Sequence, residues 1–191
     1  MKKLHLLCNA HLDPVWLWTK NEGIAEAIST FRVAADFCDE YDGFVFNHNE
    51  ALLYEWVENY EPELFERIKG LVKEGKWVIM GGWYLQSDCV MTSGESLLSQ
   101  IELGREYFRE KFGVDVTTGY CVDSFGHAAG LPKTMTLQTR LEEIPAARKT
   151  AACVSTGKPE NASGRKLTIE VRYDFHRLAR VFSQPPQARK R

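Results

Sequence analysis

The chain has 191 residues, of which 44% are hydrophobic and 26% are charged, and its formal net charge is -2. This balance is that of a globular protein, and it excludes a fully disordered chain, a collagen-like chain and a coiled coil. No apolar run approaches the roughly 18 residues that a membrane-spanning helix needs, so no membrane partner is expected.

The charge is distributed unevenly along the chain. Residues 1–135 contain 12 Lys and Arg against 21 Asp and Glu, a net charge of -9. Residues 136–191 contain 12 Lys and Arg against 5 Asp and Glu, a net charge of +7, and only 3 of the 22 aromatic residues. We therefore expect a folded unit over residues 1–135 and a basic tail over residues 136–191.

The amino terminus and the cysteines favour a cytoplasmic protein. The apolar stretch after Lys3 ends at Asn9, and no small-residue cleavage site follows it, so we interpret it as a strand rather than a secretion signal. The five cysteines are odd in number and widely spaced, which is typical of reduced thiols in the cytoplasm.

Strand and helix patterns alternate over the first 135 residues. Four strands are predicted, at residues 4–10, 43–47, 76–80 and 116–122. Four helices are predicted, at about residues 22–40, 50–60, 62–74 and 92–112. The last helix is expected to open with a Thr92-x-x-Glu95 capping box and to close at Gly113. This alternation predicts a parallel sheet, either open or part of a barrel, with ligands at the ends of its strands.

The most specific motif is HLDPVWLW at residues 11–18, directly after the first predicted strand. Residues two apart in an extended segment point the same way, so His11 and Asp13 can offer a nitrogen and a carboxylate oxygen to one ion. Such a pair suits zinc or a similar divalent metal. Trp16 and Trp18 can stack on sugar rings. The alternative is that His-x-Asp is a common sequence and that the tryptophans fill a core.

A second polar segment follows the fourth predicted strand. Asp123 is expected at the same rim of the sheet as His11 and Asp13, because parallel strands end at one edge. The alternative for Asp123 is a helix N-cap. For His127, a surface or structural role is favoured over a functional one.

Two further segments are weaker candidates. Residues 81–88 follow the third predicted strand and could supply an aromatic wall and a polar contact, or form a Gly-rich turn over buried aromatics. Residues 47–50 follow the second predicted strand, and there Glu50 could serve only to start a helix.

Together these segments resemble glycoside hydrolase family 38, the retaining α-mannosidases. The matching elements are residues 11–18, Gly81-Gly82-Trp83 with Asp88, Gly94-Glu95-Ser96, and residues 122–127 with Leu131-Pro132. Their order and spacing agree with the family over about residues 4–135. The resemblance implies an α/β fold, namely the N-terminal portion of a (β/α) barrel with parallel strands, truncated in this chain.

The resemblance also implies a role for the matched residues. His11, Asp13 and Asp123 would be ligands of a catalytic zinc ion, and Asp123 would also be the nucleophile that forms the glycosyl-enzyme ester. Trp16 and Phe125 would line the sugar subsite, and Asp88 would contact the substrate. The implied substrates are mannosides and oligosaccharides with terminal α-D-mannosyl linkages, hydrolysed with retention.

The resemblance ends near Met135. The family's fourth zinc ligand, a histidine, and its general acid lie further along the catalytic domain than this chain extends, so we expect weak activity or none. Residues 136–191 do not resemble the family's continuation, and we hypothesise that they are an out-of-frame or disordered tail. Their positive charge could attract nucleic acid, but they lack interleaved aromatics, and no nucleic-acid partner is expected.

Two other functions stay open at this point. The first is an inactive remnant that binds carbohydrate or metal. The second is a related metal-dependent carbohydrate deacetylase, which ranks lower because it would want a His-x-x-x-His pair that this sequence lacks.

Overall fold

The computed structural model describes residues 8–119, 121–127 and 131. Its parallel sheet has the strand order β1-β2-β3, formed by β1 (Cys8–Asn9), β2 (Phe46–Glu50) and β3 (Trp77–Trp83). The helices are α1 (Lys20–Glu40), α2 (Ala51–Tyr60), α3 (Pro62–Glu74) and α4 (Gly94–Phe112). The predicted α/β class with parallel strands is confirmed, whereas the predicted tail at 136–191 lies outside the described residues.

Local sequence signals explain where the helices begin and end. In the capping box of α1, Thr19 accepts the Glu22 N–H while the Glu22 carboxylate accepts the Thr19 N–H at 2.7 Å. Pro62 opens α3, and Gly75 ends it with a φ of 74°, a left-handed conformation that suits glycine.

The predicted capping box of the last helix is wrong. The N-cap of α4 is Ser93, whose hydroxyl accepts the Ser96 N–H at 3.2 Å. The Thr92 hydroxyl instead donates to the Asp88 carbonyl oxygen at 2.6 Å, so Thr92 belongs to the preceding turn.

Strand β2 is displaced from its predicted position. It begins at Phe46 and continues to Glu50, and all five of its residues are buried. The polar residues 47–50 at its end suggest a loop in the sequence. In the structure, Asn47 exchanges hydrogen bonds with strand β1 of the same chain. Asn47 Nδ2 donates to the Cys8 carbonyl oxygen at 2.8 Å, and Asn9 Nδ2 donates to the Asn47 carbonyl oxygen at 2.9 Å. Burial of these polar groups is tolerated because they are hydrogen-bonded.

The structure also corrects the third and fourth predicted strands. Strand β3 does not end at Met80 but continues through Trp83. No strand forms in the described parts of 116–122, where one backbone bond joins the Gly81 N–H to the Thr118 carbonyl oxygen at 2.8 Å. Gly81 and Gly82 have φ values of 91° and 69°, which turn the backbone of β3 away from regular pairing at this point.

An aromatic core lies between the helices and the sheet. The ring of Phe31 contacts Tyr54 and Trp77 edge-on, with centroid distances of 4.9 and 5.3 Å. Trp77 Nε1 donates to the Tyr54 hydroxyl at 2.8 Å, so the buried polar groups of both rings are used. A Cβ on Gly104 would lie 2.3 Å from the Trp83 carbonyl carbon, so glycine allows α4 to pack directly on β3. Among the helices in the described part of the chain, none combines the length and apolar character needed to cross a bilayer.

Candidate active site

The carboxyl ends of the three strands open onto one cavity of about 340 Å³. The segment after β1 contributes His11 and Asp13, β2 ends there in Glu50, and the segment after β3 contributes Gln86. The six residues to which the family resemblance assigns a role all line this cavity, namely His11, Asp13, Trp16, Asp88, Asp123 and Phe125, whereas Trp18 does not. The cavity therefore lies at the edge where a parallel sheet places its ligands.

The loop that carries His11 and Asp13 is fixed against helix α1. A Cβ on Gly23 would lie 1.9 Å from the Pro14 carbonyl oxygen, so the loop can lie on α1 only because Gly23 has no side chain. Trp18 Nε1 also donates to the Asp13 carbonyl oxygen at 3.2 Å. The loop backbone is thus held on both sides of Pro14.

His11 is the centre of the polar cluster. Its Nε2 lies 3.3 Å from Asp13 Oδ1 and 3.8 Å from Asp123 Oδ2. The His11 side chain is 25% exposed, and its other ring nitrogen, Nδ1, is buried and has no hydrogen-bond partner among the described residues. Asp123 has a φ of 52°, unusual for a residue with a side chain. The structure therefore brings together two motifs that are more than a hundred residues apart.

The donor atoms of this cluster can be compared with the requirements of a zinc ion. Ligand bonds of about 2.0–2.2 Å in a tetrahedral arrangement separate neighbouring donor atoms by about 3.3–3.6 Å. The His11–Asp13 separation meets this value, and the His11–Asp123 separation of 3.8 Å exceeds it by a few tenths of an ångström. Within residues 8–119, 121–127 and 131, no three His, Cys, Asp or Glu side chains are already closed around one point. His11 and Asp13 have the spacing of two zinc ligands, and the three side chains together offer the nitrogen and carboxylate oxygens that zinc accepts.

Two buried ionisable groups stand behind this cluster at the end of β2. Glu50 is 2% exposed, and its Oε1 accepts the Gln86 N–H at 3.0 Å. Its Oε2 has no hydrogen-bond partner in the part of the chain that the structure describes. Burial raises the pKa of Glu50 to about 8; the Gln86 N–H opposes this rise, and the Asp13 charge adds to it. Burial lowers the pKa of His48 to about 3, with a further contribution from His11. Both side chains are therefore predominantly uncharged near neutral pH.

From sequence alone, the segments of Glu50 and Gln86 are weaker candidates, and neither residue is assigned a part in the site. Glu50 is the N-cap residue of α2, but its side chain makes no capping hydrogen bond and faces the cavity lining instead. For Glu50, the signal in the sequence was its carboxylate close to the end of the second predicted strand. Gln86 lies in the segment 81–88, for which only an unspecified polar contact was expected.

The remaining predicted residues lie at the rim of the cavity. The Trp16 and Phe125 side chains are 62% and 85% exposed, so both rings are open to solvent. Asp88 Oδ1 accepts the backbone N–H groups of Met91 at 2.7 Å and Val90 at 2.8 Å, and these bonds hold the pKa of Asp88 below its usual value. Asp88 thus organises a turn as well as lining the cavity.

The segment at 81–88 does not supply an aromatic wall through its tryptophan. Trp83 is fully buried, in a core cluster with Cys89 and Cys121, as expected for the alternative of buried aromatics. His127 is not among the cavity residues and acts with Cys121 to lower the pKa of the Cys89 thiol to about 6, Cys121 having the larger effect. Among the described residues, the cysteines at positions 8, 38, 89 and 121 form no disulfide bonds.

Comparison of the sequence with protein families gives one matching model, described as the glycosyl hydrolases family 38 N-terminal domain, over residues 1–140. Alpha-mannosidase G of Dictyostelium discoideum is 32% identical over 127 residues, which are 66% of this chain and 12% of that protein. Alpha-mannosidase 2C1 of Homo sapiens is 29% identical over 132 residues, which are 69% of this chain and 13% of that protein. The chain thus spans only about an eighth of these relatives.

Solved structures resemble the described fold. The crystal structure of an alpha-mannosidase from Enterococcus faecalis V583 matches with a TM-score of 0.62 and 25% identity, over 69% of this chain and 15% of that one. The 4-alpha-glucanotransferase of Thermococcus litoralis matches with a TM-score of 0.56 and 19% identity, over 69% of this chain and 20% of that one. The second likeness is one of fold alone.

Proposed function

The chain belongs to glycoside hydrolase family 38 through that family's N-terminal domain, and on this premise we propose that its cavity is the zinc-dependent site of a retaining α-mannosidase. The proposed substrates are mannosides and oligosaccharides with terminal α-D-mannosyl groups. The three-stranded sheet is proposed to be the first part of a (β/α) barrel. The free thiols favour a cytoplasmic location.

One observation carries the proposal. His11 Nε2 lies within 3.8 Å of carboxylate oxygens from both Asp13 and Asp123, inside a cavity whose rim presents two open aromatic rings. A nitrogen and carboxylate oxygens form a donor set that zinc accepts. Exposed aromatic faces next to these donors suit a sugar ring, whose C–H faces stack on aromatics.

Each residue of the cluster has a proposed part in the reaction. His11, Asp13 and Asp123 would hold the ion, which when bound supplies Lewis-acid polarisation of sugar hydroxyls. The Asp123 carboxylate attacks the anomeric carbon, and the bond to the leaving oxygen breaks as a glycosyl ester forms on Asp123. Trp16 and Phe125 orient the ring for this attack.

Completion of the reaction needs two proton transfers. A general acid protonates the leaving oxygen in the first step. In the second step the same group, now a base, takes a proton from the water that attacks the ester, and mannose leaves with its configuration retained. No residue of this chain is assigned as the general acid, and weak turnover or none is expected from the chain alone.

Covalent trapping tests the nucleophile separately from the general acid. A fluorinated mannosyl fluoride carries a leaving group that departs without protonation, so the ester can form and accumulate. With Zn²⁺ present, we expect the intact mass to increase by one fluoromannosyl group, located by peptide mapping at Asp123. Labelling should be lost in Asp123→Asn and should persist in Asp36→Asn, which changes an exposed carboxylate of α1 outside the cavity.

Two results would count against the proposal. A label on a different carboxylate would remove Asp123 from the nucleophile role. Zinc and mannose binding with no label at all would favour the alternative of a non-catalytic binding remnant.

A further inference from the structure

Gln86 bridges the end of strand β2 and the segment that carries Asp123. Its side-chain oxygen Oε1 accepts the Val122 backbone N–H at 2.9 Å, and its side-chain nitrogen Nε2 donates to the Val122 carbonyl oxygen. A neighbouring strand would make the same two kinds of hydrogen bond with Val122. One side chain therefore holds both backbone polar groups of the residue that precedes Asp123.

Gln86 is itself held by two buried residues of β2. Asn49 Nδ2 donates to Gln86 Oε1 at 2.9 Å, and Glu50 Oε1 accepts the Gln86 backbone N–H at 3.0 Å. Asn49 is fully buried and Glu50 is 2% exposed. Because Gln86 Oε1 receives two donors while Nε2 faces a carbonyl, an amide in this one orientation satisfies all three side-chain contacts.

Asp123 needs such support because its backbone conformation is one that residues with side chains rarely adopt. Its φ of 52° describes rotation relative to the Val122–Asp123 peptide plane, and the Gln86 Nε2 bond anchors that plane at the Val122 carbonyl. With the plane anchored, Asp123 Oδ2 lies 3.8 Å from His11 Nε2. The contact with Gln86 and the direction of the carboxylate are therefore linked through one peptide group.

We propose that Gln86 is a positioning residue, which orients the Asp123 carboxylate toward the ion held with His11 and Asp13. The inference rests on the proposed function, because it requires Asp123 to be a ligand. Gln86 acts through Val122. Hydrogen-bond partners behind metal ligands typically change metal affinity by about 10- to 100-fold when they are removed.

The test titrates the full chain with Co²⁺ and compares Gln86→Ala with the matched variant Gln100→Ala. Gln100 Oε1 accepts the Leu85 N–H at 3.0 Å, so its substitution also removes a glutamine contact to the segment after β3. We expect Gln86→Ala to lower Co²⁺ affinity by about 10- to 100-fold and to change the visible spectrum of bound Co²⁺. Gln100→Ala should leave the Co²⁺ affinity and the spectrum unchanged. Its thermal midpoint without metal should shift by about as much as that of Gln86→Ala.

A second variant guards against misfolding of the first. Gln86→Glu keeps the side-chain length and the oxygen that accepts from Val122 and Asn49, but it loses the Nε2 donor, and a lower affinity is again expected. Unchanged affinity and unchanged spectra in both Gln86 variants would overturn the positioning role and leave the ion site standing. Absence of Co²⁺ and Zn²⁺ binding by the unsubstituted chain would overturn the ion site and this inference together.

Discussion

The aromatic core and the carboxyl edge of the same sheet use buried polar groups in opposite ways. In the core, the Tyr54 hydroxyl accepts from Trp77 and donates to the His48 carbonyl oxygen. At the edge, four buried polar atoms have no hydrogen-bond partner within the described residues: His11 Nδ1, Asn49 Oδ1, Glu50 Oε2 and Ser124 Oγ. Unpaired buried groups cost free energy, so the edge is arranged for binding at the expense of stability.

This difference separates the effects of substitution in the two regions. A core substitution should lower the free energy of unfolding without a specific effect on metal or sugar binding. A substitution at the edge should change metal binding, sugar binding or the pH dependence of stability, even where it changes the free energy of unfolding little.

The largest stability effect is expected at Phe31. Its ring is fully buried and contacts both Tyr54 and Trp77, so Phe31→Ala removes an aromatic ring from the centre of the core. We expect the free energy of unfolding, measured with urea, to fall by about 3–5 kcal/mol. A loss below about 1 kcal/mol would show that the core is not as closely packed as described.

Glu50 should make stability depend on pH at the edge. Its folded-state pKa is about 8, above the ordinary value of 4.5, so the folded chain retains a proton that the unfolded chain releases. This contribution is fully present below the ordinary pKa and is lost as the pH rises through about 8. Glu50→Gln removes the titration and keeps the acceptor for Gln86.

Urea unfolding in the presence of a metal chelator measures this contribution. Between pH 5 and pH 8, the unsubstituted chain should lose on the order of 3 kcal/mol relative to Glu50→Gln. Stability curves that stay parallel over this range would show that Glu50 is already ionised in the folded chain.

Substitution of two glycines by alanine is expected to have the smallest effects on stability, and the two variants should differ in zinc binding. Gly23→Ala places a methyl group against the Pro14 carbonyl oxygen, which should move the loop of His11 and Asp13 and weaken zinc binding. Gly70→Ala in α3 meets no atom within 4 Å and should stabilise the chain by roughly 0.5–1 kcal/mol with unchanged binding. Equal zinc affinity in the two variants would contradict the role assigned to Gly23.

The sequence was informative where local chemistry determines structure. Helix α3 was predicted to the residue because Pro62 and Gly75 are strong boundary signals. The meeting of His11, Asp13 and Asp123 was expected from the rule that parallel strands end at one edge. The described residues just before Asp123 form no strand, however, and Gln86 holds Val122 instead. Strand β2 was misplaced because its polar end reads as a loop, whereas the structure buries all of it, and the Cys8 carbonyl oxygen accepts a hydrogen bond from the Asn47 side chain there.

The role of Gln86 could not be predicted from local pattern. Its contact with Val122 joins residues 36 apart in sequence, and it replaces backbone pairing that the apolar run at 116–122 predicts. Such a contact exists only when the turn after β3 and the segment before Asp123 have both been placed.

The central claim is that His11, Asp13 and Asp123 bind one zinc ion. Titration of the metal-free chain with zinc, measured by isothermal titration calorimetry, tests it most directly. The account predicts one ion per chain, with binding weakened by at least about tenfold in His11→Ala and in Asp123→Asn, and unchanged in Asp88→Asn. Absence of binding by the unsubstituted chain, or affinity that is the same in all four proteins, would contradict it.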